Sequence, residues 1–162
     1  MHTPTPPADL HSVVRFALAE DIGSGEITAD LIPAANTATA NIISRDRGIL
    51  GGGPWVNEIF NQLDPSLQIR WETGEGSMFE QEQVLAVVSG SARHILTAER
   101  TALNFLQTLS ATASQSHRYA SLVAHTDVRL LDTRKTLPGL RSAQKYAVRV
   151  GGCYNHRMGL FD

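Results

Sequence analysis

The sequence predicts an α+β amino-terminal domain to about residue 113, followed by a strand–loop–helix unit of the kind that opens an α/β barrel. Three observations carry this reading. Strand-length apolar or alternating runs recur at 38–45, 67–72 and 83–89, separated by turn-rich segments. Helix-length amphipathic runs stand before, between and after them at 8–20, 55–63 and 96–109. A last apolar run, 127–132, then leads through a polar loop to a return helix at 140–150, the order in which parallel α/β layers are built.

Residues 1–7 hold three prolines and lack the charged and apolar regions of a signal peptide, so they read as a short disordered lead. Residues 8–20 place Leu10, Val13, Val14, Ala17 and Leu18 on one helical stripe. The segment 21–35 is loop-rich, and the strand at 38–45 is turned by Asp46-Arg47-Gly48. Gly51-Gly52-Gly53-Pro54 precedes the helix at 55–63, and Thr73-Gly74-Glu75-Gly76-Ser77 separates the next two strands. The long helix 96–109 offers Leu96, Ala98, Leu103, Leu106 and Leu109 for burial and continues, kinked or broken, through Ala120. Residues 127–132 predict a short strand, mostly buried. Leu137-Pro138-Gly139 is turn chemistry. The helix at 140–150 carries Ala143, Tyr146, Ala147 and Val150 on one face, and Gly151-Gly152 ends it.

With 162 residues and 42% hydrophobic content, the chain can bury the core of one domain or a small pair. No apolar run approaches the roughly 20 residues of a membrane span. A single cysteine excludes an internal disulfide framework and fits a reducing, cytoplasmic location.

Charge is distributed unevenly. Between Asp132 and Asp162 there is no acid, yet six Lys/Arg fall there: Arg134, Lys135, Arg141, Lys145, Arg149 and Arg157. The rest of the chain is acidic, and the net charge is −2. A positive field confined to one segment points to an anionic small molecule. A nucleic-acid binder would spread basic charge over a broad face and raise the sequence pI above about 6.3.

Arg134 and Lys135 stand at the carboxyl end of the 127–132 strand, where the loops of α/β barrels handle ligands. Their proximity, with His156 and Arg157 further on, leaves two readings open: an anionic ligand, or pairing with Asp132, Asp162 or a neighbouring chain. Arg141, Lys145 and Arg149 share a helical face at i, i+4, i+8 and read as a solvated face. The glycine stretches lack the lysine of a phosphate loop and read as turns. The six histidines show no metal-binding spacing. Cys153, among glycines, reads as a bland residue rather than a nucleophile.

Motifs in one order across the chain carry a family resemblance. The runs Thr133-Arg134-Lys135-Thr136-Leu137-Pro138-Gly139-Leu140-Arg141, Lys145-Tyr146-Ala147-Val148 and Gly151-Gly152-Cys153-Tyr154-Asn155-His156-Arg157 resemble quinolinate phosphoribosyltransferases. Glu20-Asp21-Ile22-Gly23-Ser24-Gly25-Glu26-Ile27-Thr28 and Glu99-Arg100-Thr101-Ala102-Leu103-Asn104 resemble two further motifs of that family. Cys153 and Ala111 stand where the family usually has glycine, and neither change removes a charge. Family members also run to nearly twice this length.

The resemblance implies an α+β amino-terminal domain (1–113) followed by the first βα unit of an incomplete α/β barrel (114–162). It implies transfer of phosphoribosyl from phosphoribosyl pyrophosphate to quinolinate with decarboxylation, giving nicotinate mononucleotide, with Mg2+ accompanying the donor. Arg100, Thr133, Arg134, Lys135, His156 and Arg157 would bind substrate, Arg100 in a neighbouring subunit of a homodimer or higher oligomer. No covalent nucleophile is implied, nor a metal site in this chain. Neither nucleic acid nor membrane is an expected partner. The chain alone would be catalytically incompetent, with apolar surface exposed over 114–162. The competing readings are a non-catalytic anion-binding or assembly module, a nucleic-acid binder, and a related phosphoribosyltransferase for another heterocyclic acid.

Overall fold

The structure, a computed structural model, describes residues 3–23, 25 and 29–162, apart from the side chain of Asp30. Ser24, Glu26, Ile27 and Thr28 of the first motif lie outside the described residues.

Helix α1 (Leu10–Ile22) buries Val14 and Leu18, and Leu10, Val13 and Ala17 of its predicted stripe pack half-buried beside them. A single 3-10 turn (Ala29–Leu31) follows. Strand β1 (Thr37–Ile43) leads to the two-residue β2 (Gly48–Ile49) and to helix α2 (Gly53–Leu63). Pro54 lies in the first turn of α2, where a missing N–H costs nothing. Then come β3 (Gln68–Trp71), β4 (Met78–Phe79), β5 (Val84–Ser91), α3 (Ala92–Leu122) and α4 (Arg141–Val150). Strands β1, β5 and β3 form an antiparallel sheet in that order, with Ala40 opposite Val88 and Ile69 opposite the same valine. Strands β2 and β4 pair separately. The short β4 was not among the sequence expectations.

One core runs from the sheet through α2 and α3 to α4. Trp55 is fully buried, 5.1 Å edge-on from the Tyr146 ring and 6.5 Å from Phe105. Val56, Ile59 and Leu109 close around it, and Ala143, Tyr146, Ala147 and Val150 join the same cluster, as their spacing predicted. Truncating such an aromatic to alanine typically costs about 3–5 kcal/mol.

Two expectations are corrected. Helix α3 is one continuous 31-residue helix, not broken into two after Leu109. Its serine-rich stretch is held by specific bonds. Ser110 Oγ donates to the Gly51 carbonyl and accepts from the Gly51 amide, and Ser114 Oγ accepts from the Ile49 amide. The hydroxyls of Thr112 and Ser116 bond back to carbonyls four residues earlier.

The second correction concerns 127–132. No strand forms there among the described residues, and the segment is not mostly buried: Val128 is 57% and Leu131 55% exposed. Only an isolated parallel bridge remains, Leu131 with Tyr154, made by Tyr154 N–H to the Leu130 carbonyl (2.8 Å) and Asp132 N–H to the Tyr154 carbonyl (2.9 Å). A parallel strand is buried by neighbours on both sides and by helices on its faces. This segment has one neighbour, and Val128 and Leu131 face outward.

Candidate functional site

The bridge between Leu131 and Tyr154 sets two chain segments side by side on one flank of α4. Thr133-Arg134-Lys135 leaves one segment, and His156-Arg157 leaves the other. Arg134, Lys135, His156 and Arg157 of the predicted site are thereby brought to the same end of a parallel pair, together with Thr133, whose Oγ1 accepts from the Lys135 amide (3.1 Å). Thr133, Lys135, His156 and Arg157 are exposed, and Arg134 is partly covered.

A buried ion pair lies beneath them. Lys145, 1% exposed, places its Nζ 2.5 Å from Asp132 Oδ1, and the Asp132 side chain is 7% exposed. The same Nζ donates to the His156 carbonyl (2.7 Å), and the His156 amide donates to Asp132 Oδ1 (2.7 Å). The Asn155 amide, oriented with its nitrogen toward acceptors, donates to Asp132 Oδ2 (3.0 Å) and to the Lys145 carbonyl (2.9 Å). Asp132 is thus satisfied on both oxygens. Asp162 Oδ2 accepts from the Met158 amide (2.8 Å). Among the described residues, Arg134, Lys135 and Arg157 have no acidic partner. Both internal acids offered as their counter-charges are engaged elsewhere.

This corrects the reading of the α4 outer face. Lys145 is not solvated, because the two loops fold over it. Arg141 stitches the same loops, donating to Thr136 Oγ1 (3.2 Å), the Met158 carbonyl (3.1 Å) and the Arg134 carbonyl (3.4 Å). Arg149 lies over the Tyr154 ring, 5.0 Å from its centroid, and Arg129 approaches the same ring at 5.3 Å.

Arg100 stands apart from this constellation. It is exposed on α3, thirteen residues before Ala113, against which the end of α4 is seated. That places it about 20 Å along the helix from the α4 contact. Beside it, Glu99 and Leu103 line an open groove of about 1300 Å³ between α3 and the β1–β5 face, with Ile42, Phe79 and Leu85 on its walls.

The glycine stretch does not cradle a phosphate. The Gly52 and Gly53 amides donate to the Glu75 carboxylate at 2.8 and 2.9 Å, which caps α2 from across the fold. Burial pushes the Glu75 carboxyl above its usual range, against the pull of these bonds. Cys153 is buried, its Sγ donates to the Ser116 carbonyl (3.3 Å), and burial pushes its thiol up, which makes it a poor nucleophile. Among the described residues, no group of three His, Cys, Asp or Glu side chains could hold a metal ion.

Comparison with known proteins bears on this arrangement. Residues 22–110 match the family model of the quinolinate phosphoribosyl transferase N-terminal domain, and residues 112–162 match that of the C-terminal domain. The chain belongs to the quinolinate phosphoribosyl transferase family. It is 39% identical over 145 residues to a probable nicotinate-nucleotide pyrophosphorylase (carboxylating) of Synechocystis, covering 90% of this chain and 49% of that protein. A Bacillus subtilis protein of the same description is 37% identical, covering 94% of this chain and 53% of its own length. Among solved structures, the nicotinate-nucleotide pyrophosphorylase of Francisella tularensis superposes with a TM-score of 0.92 at 45% identity, over 100% of this chain and 59% of that one. NadC from Streptococcus pyogenes gives 0.94 at 33% identity, over 99% and 57%. The chain spans about half the length of the phosphoribosyltransferase relatives it matches.

The sequence pattern singles out Arg134, Lys135, His156 and Arg157, which lie together here, but marks Lys145 and Arg141, which tie their loops, as a solvated face. Their spacing was visible; the loops that cover them were not. Among the described residues, no helix is long and apolar enough to cross a membrane.

Proposed function

We propose that the chain forms the acid-recognising part of an enzyme that transfers phosphoribosyl from phosphoribosyl pyrophosphate to quinolinate, with loss of carbon dioxide, yielding nicotinate mononucleotide for NAD biosynthesis. The observation that carries this is the cluster of Arg134, Lys135 and Arg157 left without an acidic partner while Asp132 is sequestered by Lys145. Quinolinate bears carboxylates on adjacent ring carbons. An arginine fork meets a carboxylate with two hydrogen bonds and stays charged at any working pH, and lysine adds a movable point charge. Cations fixed before the acid and the donor arrive stabilise charge growing on the leaving pyrophosphate without reorganising. The alkylated ring nitrogen then serves as an electron sink for decarboxylation, and no covalent enzyme intermediate is needed.

The parallel bridge flanking α4 supports reading 114–162 as the opening βα unit of an α/β barrel, with its site at the carboxyl ends of the strands. Exposed Val128, Leu131, Leu160 and Phe161 are surfaces that further barrel layers would cover. Magnesium belongs to this reading as a companion of the donor's pyrophosphate, keeping several waters and binding through few protein oxygens. The groove beside Arg100 supports a homodimer or higher oligomer in which that residue serves a neighbour's site. The single buried thiol is compatible with a cytoplasmic location.

Calorimetry of the chain with pyridine-2,3-dicarboxylate and with pyridine-3-carboxylate tests the acid site. The diacid should bind more tightly, and equal affinity for the two would overturn the reading. The chain alone should form no nucleotide with magnesium, diacid and donor, and turnover at an enzyme's usual rate would refute that expectation.

A further inference from the structure

We propose that Lys145 is a positioning residue that withdraws the charge of Asp132 from the site's cations and fixes the His156 peptide between the two loops. The inference deepens the acid-site reading and rests on it. Asp132 directly precedes Thr133-Arg134-Lys135, and its carboxylate accepts from the amide of His156, the residue before Arg157. An acid so placed, and not otherwise paired, would turn toward these cations and occupy the forks a substrate carboxylate needs. Lys145 reaches from the outer face of α4 to prevent this, with Nζ on Asp132 Oδ1 at 2.5 Å. Its second bond, to the His156 carbonyl at 2.7 Å, means that the backbone of one residue is held at its N–H by Asp132 and at its C=O by Lys145. The register between the Arg134 loop and the Arg157 loop is set by that grip and by the Leu131–Tyr154 bridge.

A lysine serving stability alone would have different consequences. A buried ion pair can often be replaced by neutral groups without loss, whereas removing one partner leaves a buried charge that must find another. A scaffold role therefore predicts this order in stability alone, whereas charge withdrawal predicts it in the anion affinity of variants whose fold is intact. Removing Lys145 alone should harm anion binding, and removing the Asp132 charge as well should restore it.

The experiment measures dissociation constants for pyridine-2,3-dicarboxylate and for inorganic phosphate with wild type, K145Q and D132N/K145Q, each checked for native near-ultraviolet dichroism. K145Q should bind at least about tenfold more weakly than wild type, and the double variant should return to within about threefold. K145Q as tight as the double variant, or the two equally weak, would overturn the inference. If K145Q does not fold, the double variant still decides, because a tenfold loss in it has the same force. Wild type that binds phosphate but not the diacid sinks the acid-site reading alone, and the ranking is then read with phosphate. Wild type that binds neither leaves no free cations to protect and overturns both.

Discussion

Gly151 meets Ala113 so closely that a β-carbon at 151 would fall 2.3 Å from the Ala113 carbonyl oxygen and 2.6 Å from Ser116 Cβ. The carboxyl end of α4, which carries the buried lysine, is thereby seated directly on the backbone of α3. No side chain intervenes.

Gly151→Ala should therefore destabilise the chain by about 1–3 kcal/mol through overpacking. Urea unfolding checks this, with a lowered midpoint and an unchanged slope as the expected outcome. A midpoint equal to that of wild type would mean that the two helices can separate without loss.

Arg134→Ala and Lys135→Ala, made in a full-length relative of this chain carrying the same motif, should each weaken quinolinate or donor binding by roughly 2–5 kcal/mol, the range for truncating one partner of a desolvated charge contact. Both side chains lack an internal acid to lose, so thermal stability should change little. Unaltered affinity for both ligands would remove these residues from the site.

Arg100 gives a mixing test. If its guanidinium completes a neighbour's site, neither Arg100→Ala nor Arg134→Ala full-length protein should be active alone. Hybrid dimers should regain part of the activity through one intact site. With subunit exchange shown by mass, continued inactivity of the mixture would count against the arrangement.

Asp64 gives a pH test. Its carboxylate accepts from the Ser66 hydroxyl and amide and stands 2.7 Å from His94 Nδ1, and these contacts hold it near pKa 2, below the ordinary 3.8. A carboxyl depressed on folding contributes stability that is fully present above its unfolded value and lost as pH falls through the folded one. Between about pH 4 and 2, wild type should lose stability more steeply than Asp64→Asn, as followed by chemical denaturation at each pH. Parallel slopes for the two proteins would show that the contacts are absent in solution.

Much of the fold was legible in the sequence because burial followed local period. The stripe of α1, the face of α4 with Tyr146 and Val150, strand β3 and the later half of β1 obey it, whereas the central β5 is covered on both faces at Leu85 and Ala86. The failures share one cause. The stretch from Ser110 to Ser116 reads as a place for a helix to break, because its hydroxyls compete for backbone groups. In the fold, two of those hydroxyls instead hold the amides of Ile49 and Gly51, more than fifty residues away. Lys145 misleads in the same way: its i, i+4, i+8 partners mark a wet face, and distant chain dries it. Residues 127–132 err in the opposite direction, being apolar enough for a buried strand yet lacking the neighbours that would bury them.

The continuity of α3 makes it a ruler. Its residues 92–122 run unbroken through the junction between the two family regions, from the end of β5 past the seat of Gly151. The bearing of Arg100 relative to the loops on α4 is thus counted out in helical residues. One residue added near Ala111 would advance everything beyond it by about 1.5 Å and swing it through about 100°. A loop at that junction would absorb such an insertion, whereas this helix would transmit it whole, so the spacing between the two regions tolerates substitution and not a change in number.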